Sequence, residues 1–361
     1  MKLNSLVRHV SCTVLTAAAV AGSAFGPGTA AADPVADFYK GRTITIMIGS
    51  GFGGSYGLYS QLAARHIGKH IPGNPTVIVQ SMPGAAGLKE IAYTYNAAPK
   101  DGSVIDLTHQ EVLQESILNE KARFDVRKFN WLGRFVDVDY IAVVTARSGV
   151  KSIDDARKKQ IVAGATGARG ASAIGPELFN RIAGTKFKVV AGYKGTDEMF
   201  LAQEKGEVDM VTATWVIVRA AHAEAFNSGK LIPLCAMALE RIPDLPKVPT
   251  ITEFGTDPAE KTFVRIWAAG GTVGRSLATP PGVPADRVKA LRAAFDRMLE
   301  DPAFKEDVEK RRTPFNPMSG EKLAARIEKV AKLSPGEMAS ARKLYAELLS
   351  SKGGKGKGKG K

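Results

Sequence analysis

Six consecutive residues, Gly49-Ser50-Gly51-Phe52-Gly53-Gly54, have the G-x-G-x-x-G spacing of a phosphate cradle between a strand and a helix. A dinucleotide would also need an acid at the end of the next strand to hold its ribose hydroxyls. Gln80 and Ser81 stand there instead, and no Asp or Glu occurs between Asp37 and Glu90. A P-loop fails as well, because Ser55 and Tyr56 follow Gly54 where Lys and Ser or Thr are required. The physics of the loop survives both exclusions. Glycines let the backbone approach a guest, and free N–H groups at Gly54, Ser55 and Tyr56 would start a helix whose dipole amounts to about half a positive charge. Such a site needs no charged side chain and suits a carboxylate as well as a phosphate. Glycines that only make a tight turn would read the same way.

A second loop, Gly164-Ala165-Thr166-Gly167-Ala168-Arg169-Gly170-Ala171-Ser172, also follows a strand and precedes a helix. It offers two hydroxyls, open backbone and one Arg, which either takes a carboxylate bidentately or faces solvent. Ligands of open α/β sheets sit beyond the strand carboxyl ends, where both loops would lie. On two lobes, the loops would hold the two ends of a diacid. Other chemistry is weak. His66 and His70 are four apart, but Ile67 stands where a zinc-protease helix needs Glu, and both fall on the side of Tyr59, Leu62 and Ala63. Cys235 lies in an apolar run and reads as a core thiol. No catalytic residue, metal ligand or cofactor is expected.

The elements that must carry these loops alternate. Strands are expected at 43–48, 76–79, 104–108, 140–145, from 161, at 186–190, 208–212 and 231–238, with helices over 56–70, 85–96, 196–205, 285–299, 319–332 and 334–349. Ser152-Ile153-Asp154-Asp155 is a helix N-cap. Short β-α-β connections imply parallel sheets with helices on their faces, arranged as two lobes. Periodicity leaves open whether the chain crosses between lobes once or twice.

The chain has 361 residues and a formal charge of +14. Residues 1–32 read as a signal peptide, with Lys2 and Arg8 ahead of an apolar stretch and Ala30-Ala31-Ala32 as the cleavage site. Cleavage removes two basic side chains, and the tail after residue 350 holds five lysines and no acid. The body therefore carries 43 basic against 36 acidic side chains, without a basic stripe interleaved with aromatics, so nucleic acid is not an expected partner. An exported protein is expected.

Tyr39-Lys40-Gly41-Arg42, Gly53-Gly54-Ser55, Met82-Pro83-Gly84-Ala85-Ala86-Gly87 and Ala98-Pro99-Lys100-Asp101-Gly102 resemble, in order, the Bug family of extracytoplasmic solute receptors of tripartite tricarboxylate transporters. Gly192-Tyr193-Lys194-Gly195, Gly206-Glu207-Val208-Asp209, the IPDLPKVPT run at 242–250 and Pro281-Gly282-Val283-Pro284 continue the series across nearly the whole mature chain. The resemblance implies an α/β, type II periplasmic binding protein fold, with a ligand cleft between two lobes. Lobe 1 would combine 33–137 with 238–349 and its C-terminal helices, lobe 2 would span 138–237, and a Lys/Gly tail would follow at 350–361. It further implies a periplasmic monomer that binds an organic carboxylate through main-chain N–H groups and passes it to a two-subunit membrane permease. An alternative is a sensor that presents ligand to a membrane histidine kinase. Carried onto this sequence, the ligand contacts are Gly53, Gly54, Ser55, Tyr56, Pro83, Gly84, Ala85 and Ala86 in lobe 1. In lobe 2 they are Thr166, Gly167, Arg169, Gly170, Ala171 and Ser172, with Tyr193 and Thr214 lining the cleft. Three departures stand out: Gly51-Phe52 in place of a Pro-Phe start, Gly57 where many members have Asp, and Arg169 where small polar residues are usual. Phe52, Tyr56 and Trp215 would favour an aromatic or larger ligand.

Overall fold

Thr43–Ile48 (β1) is β-branched at five of its six positions, Thr76–Ser81 (β2) alternates half-buried and exposed, and Val104–Thr108 (β3) is buried throughout. Those patterns place β1 and β3 inside a sheet and β2 at its edge. The computed structural model describes residues 33–52, 54–166 and 170–350; the signal-peptide reading, the tail after 350 and Gly53, Gly167 and Arg169 lie outside them. The remaining strands are Asn130–Val136 (β4), Tyr140–Thr145 (β5), Ile161–Ala165 (β6), Phe187–Ala191 (β7), Met210–Thr214 (β8), Leu231–Met237 (β9), Arg275–Thr279 (β10) and Met318–Ser319 (β11). Two sheets result, with orders β11-β4-β10-β3-β1-β2 and β7-β6-β8-β5-β9.

The sheets repeat one plan. In the first, β1 pairs in parallel with β2 and β3, and β10 inserts antiparallel between β3 and β4. In the second, β6 pairs in parallel with β7 and β8, and β5 inserts antiparallel between β8 and β9. Each inserted strand is the first that the chain lays down after leaving the other sheet. The chain thus crosses twice, through residues 137–139 and again through 238–274, and the architecture is the two-lobed periplasmic binding protein fold.

The crossings touch backbone to backbone. Val138 donates its N–H to Gly271 O at 3.0 Å. A Cβ at Gly271 would lie 2.2 Å from Asp139 Oδ1, and one at Gly274, whose φ is +53°, would lie 2.0 Å from Val136 O. Only glycine permits that approach. Burial, reinforced by Asp137 and opposed by Arg134, raises the Asp139 carboxyl to about 7. The folded chain then holds a proton that the unfolded chain releases near pH 4. This group therefore favours the fold at low pH, and its contribution is lost as pH rises from about 4 through about 7. Asp139→Asn is expected to flatten the decline of Tm over that window; a Tm–pH curve that the substitution leaves unchanged would count against it.

The first lobe is closed by Ala285–Glu300 and Pro302–Lys310, which place Phe295 and Phe304 against Phe135 and the β1 isoleucines. His66 and His70 reach Asp307 and Asp301 at 3.1 and 2.9 Å, pinning the helix Gly54–His66 and the turn after it to these helices. Cys235 is buried in the largest core cluster, and burial pushes its thiol well up, which keeps it unreactive. Among the described residues no helix is long and apolar enough to cross a membrane.

Candidate functional site

At the carboxyl end of β1 the chain turns through residues 49–52 into the helix Gly54–His66. Gly57, in its first turn, has no room for a side chain: a Cβ there would lie 1.7 Å from Phe52 O. The loop is folded down onto the helix that it precedes. Ser81 Oγ donates to Ser50 O at 2.6 Å, and Met82 N–H donates to Ile48 O at 2.9 Å. The β2 loop carrying Pro83, Gly84 and Ala85 is thereby tied to the β1 loop. These three are exposed, and Ala85 is held at φ +48°, a left-handed conformation that costs a non-glycine residue energy. The side chain of Ala86 is outside the described set.

The second lobe builds a matching edge. Thr166, after β6, accepts no cap from the neighbouring helix but leans on it: its N–H donates to Ser172 Oγ at 3.1 Å, and the two hydroxyls are 3.2 Å apart. Gly170 precedes the helix Ala171–Ala183, which has neither a side-chain cap nor an acid in its first turn. The helix Gly54–His66 likewise has no acid there. Two uncompensated helix starts, one on each sheet, attract anions. Tyr193 lies after β7 with its ring 3.4 Å from where a Cβ of Gly164 would be. Thr214 ends β8, and its hydroxyl accepts from Ile217 N–H at 3.4 Å. The described candidates thus gather into two clusters, one at the carboxyl edge of each sheet.

Between the clusters lies a residue that the sequence reading missed. Arg275 opens β10 and is 7% exposed. Its Nε and Nη2 donate to Ser55 Oγ at 2.9 and 2.8 Å, its Nη1 donates to Gln110 Oε1 at 2.7 Å, and its guanidinium stands 3.9 Å over the Tyr56 ring. A hydroxyl has two acceptor lone pairs and one hydrogen. With Arg275 N–H groups on the oxygen, Ser55 is left to donate its O–H, which is what a carboxylate guest requires. Tyr56 also stacks on His109, and its hydroxyl accepts from Gln110 N–H at 3.2 Å. Gln110 Nε2 then donates to the Tyr140 hydroxyl, at the start of the other sheet, and to Glu111 Oε1 at 3.1 Å. Burial alone would raise the Glu111 carboxyl, but His109, 2.6 Å away, and Arg275 hold it below its usual value. Burial pushes the Tyr56 and Tyr140 phenols upward, so both remain protonated. This network joins the lobes at the cleft floor and keeps one cation under the first loop.

Beneath that floor, Glu90 and Asp106 are both fully buried. Thr94 donates to Glu90 Oε1 at 2.6 Å and Thr108 to Asp106 Oδ2 at 3.0 Å. Burial raises both carboxyls, and the charge of Glu90 drives Asp106 further up. Both shifts favour the neutral form, so the floor adds less negative charge to the cleft than two acids of ordinary pKa would.

The aromatic expectation changes on this geometry. Trp215 is buried, its Nε1 donates to Asp244 Oδ2 at 3.0 Å and its ring meets Phe226 edge-on. Tyr56 is sandwiched between Arg275 and His109, which leaves Phe52, 51% exposed, as the one of the three with an open face. Gly53-Gly54-Ser55-Tyr56-Gly57 also spells the G-x-S-x-G of a nucleophile elbow. The partner of Ser55 Oγ is a donating cation rather than a base, so the hydroxyl is not activated for attack.

A family model described as the tripartite tricarboxylate transporter family receptor matches residues 63–335. No curated protein matches the chain. Among solved structures, a TctC solute binding protein from Polaromonas, without ligand, is 20% identical, with a TM-score of 0.64, 86% of this chain and 99% of that one being covered. MatC from Rhodopseudomonas palustris, with bound malate, is 20% identical at a TM-score of 0.55, covering 85% and 99%. An R. palustris protein solved with adipate is 18% identical at a TM-score of 0.56, covering 86% and 97%.

Proposed function

Because the chain belongs to the tripartite tricarboxylate transporter receptor family, whose members are solute receptors rather than enzymes, we propose that it captures an organic carboxylate in the periplasm. The lobes close on the ligand, and the closed form is what a two-subunit membrane permease recognises. The observation that carries the carboxylate reading is Arg275, whose N–H groups occupy the Ser55 oxygen at the start of the first helix. The Ser55 O–H, turned outward by Arg275, and the N–H groups of the helix start make one oxyanion cradle. The start of Ala171–Ala183, with the Thr166 and Ser172 hydroxyls, makes a second on the other lobe. Two cradles suit a diacid. Pro83, Gly84 and Ala85, with Tyr193 and Thr214, are the walls on this reading.

The test is a thermal-shift and calorimetric screen with malate, adipate, citrate, aromatic monoacids and amino acids. A ligand at 100 times its Kd adds about 2.7 kcal/mol to stability, a visible rise in Tm. Saturable binding confined to carboxylates is the expected result. Binding confined to neutral solutes or amines would overturn the reading.

A further inference from the structure

Beside the hinge, a cavity of about 600 Å³ is walled by the segment after β9 and by the helix Gly320–Ala331. Residues 137 and 139 of the first crossing also line it, and it shares none of the cleft residues described above. Its charges are unevenly satisfied. Arg241 is committed to Glu253 through bonds of 2.8 and 2.7 Å, which pull that carboxyl down to about 2. Arg134, buried at the base, donates to Thr272 O and Asn316 O at 3.0 and 3.2 Å and stands 3.5 Å from Asp137. Arg265 comes no nearer to a carboxylate than 4.0 Å, at Glu337. Arg326 and Lys329 are three apart, hence on one helix face, and form no ion pair with any described residue.

The opposing acids are weaker than their number suggests. Asp137 already accepts from Asn316 Nδ2 at 2.7 Å, Glu240 is exposed on the rim, and Asp139 is only partly ionised near neutrality. Burial depresses the Arg134 guanidinium; Asp137 and Asp139 oppose that shift, and the charge of Arg326 adds to it. Like charges in a recess repel more strongly than on open surface, and an oxyanion relieves them through forked N–H donation.

We propose that this hinge cavity is a second binding site, taking a small oxyanion such as inorganic phosphate or a free carboxylate between Arg265, Arg326 and Lys329, with Arg134 at its base. Its walls belong to both sides of the hinge, so the bound anion and the cleft ligand alter each other's affinity by one shared factor. That coupling rests on the lobe closure proposed above; the anion binding does not.

Inorganic phosphate, titrated calorimetrically into the purified protein near neutral pH at ionic strength fixed with sodium chloride, is the probe. Saturable one-site binding is expected, weakened about tenfold or more in Arg326→Ala/Lys329→Ala. Both positions are exposed, so that variant should melt close to the parent, which separates lost binding from lost folding. Thr166→Ala/Ser172→Ala, which strips hydroxyls from the cleft, should leave the phosphate Kd unchanged. Equal Kd values in the parent and the Arg326/Lys329 variant overturn the site, as does loss of phosphate binding in the Thr166/Ser172 variant alone. Failure of every carboxylate in the cleft would leave these readings intact, so the two proposals fail separately.

Discussion

Arg275→Gln is expected to weaken diacid binding about 100-fold and to lower stability by about 3 kcal/mol, or roughly 4–6 °C in Tm. The substitution removes two N–H bonds to Ser55, one to Gln110 and the cation over the Tyr56 ring. Ser55 is then free to turn its O–H inward, and Glu111, still held below its usual value by His109, loses Arg275 as a counter-charge. The first effect removes a donor from the ligand; the second adds repulsion against it. Arg275→Lys separates the contributions, because lysine restores the charge without the fork that spans Ser55 and Gln110. It should recover stability more fully than affinity. Calorimetry with malate and adipate, beside thermal melts, measures both, and a glutamine variant that binds as tightly as the parent would reduce Arg275 to scaffold.

Gly57→Asp is the second large effect. A Cβ at 1.7 Å from Phe52 O and 2.4 Å from Phe52 C cannot be absorbed by a rotamer change, since both contacts are backbone. Residues 50–52 must lift away, at a cost of about 1–3 kcal/mol, and the N–H groups of Gly54–Tyr56 lose their shared direction. The new carboxylate would also sit in the first turn, where it competes with an anionic guest for the helix start. Diacid binding should fall about 100-fold. Gly57→Ala tests sterics alone: if alanine binds normally while aspartate does not, charge rather than loop geometry is responsible.

Much of the fold was legible because its strands are short β-branched runs. β1, β3, β5, β8 and β9 announced themselves by apolar runs between glycine or polar stops, and the helices by capping residues such as Ser152, whose hydroxyl accepts from Asp155 N–H at 3.1 Å. Three strands escaped, the two-residue Met318–Ser319 (β11) and two longer ones. β4, NWLGRFV, mixes an Asn, a Gly and an Arg into a buried segment, and β10, RSLAT, has only one large apolar residue. Both are central to the first sheet, and both were hidden for the same reason. Their polar side chains are satisfied by partners far along the chain, as when Arg134 reaches Thr272 and Asn316. Missing β10 meant missing Arg275 with it.

The amino-acid order by itself determined the two glycine loops, their position between strand and helix, the absence of a nucleotide signature and the collinear run of family motifs. Each of these depends on neighbours within a few residues, where backbone freedom and helix dipoles act. Tertiary structure alone decided that the Ser55 oxygen accepts from a cation and so keeps its O–H for a guest, because the deciding group is 220 residues away at Arg275. It decided as well that Tyr56 and Trp215 are spent on packing, that burial pushes the Glu90 and Asp106 carboxyls up under the cleft, and that cations from separate segments meet beside the hinge. Hydrogen-bond direction, burial and like-charge crowding are properties of groups brought together in space, and no local window of sequence contains them.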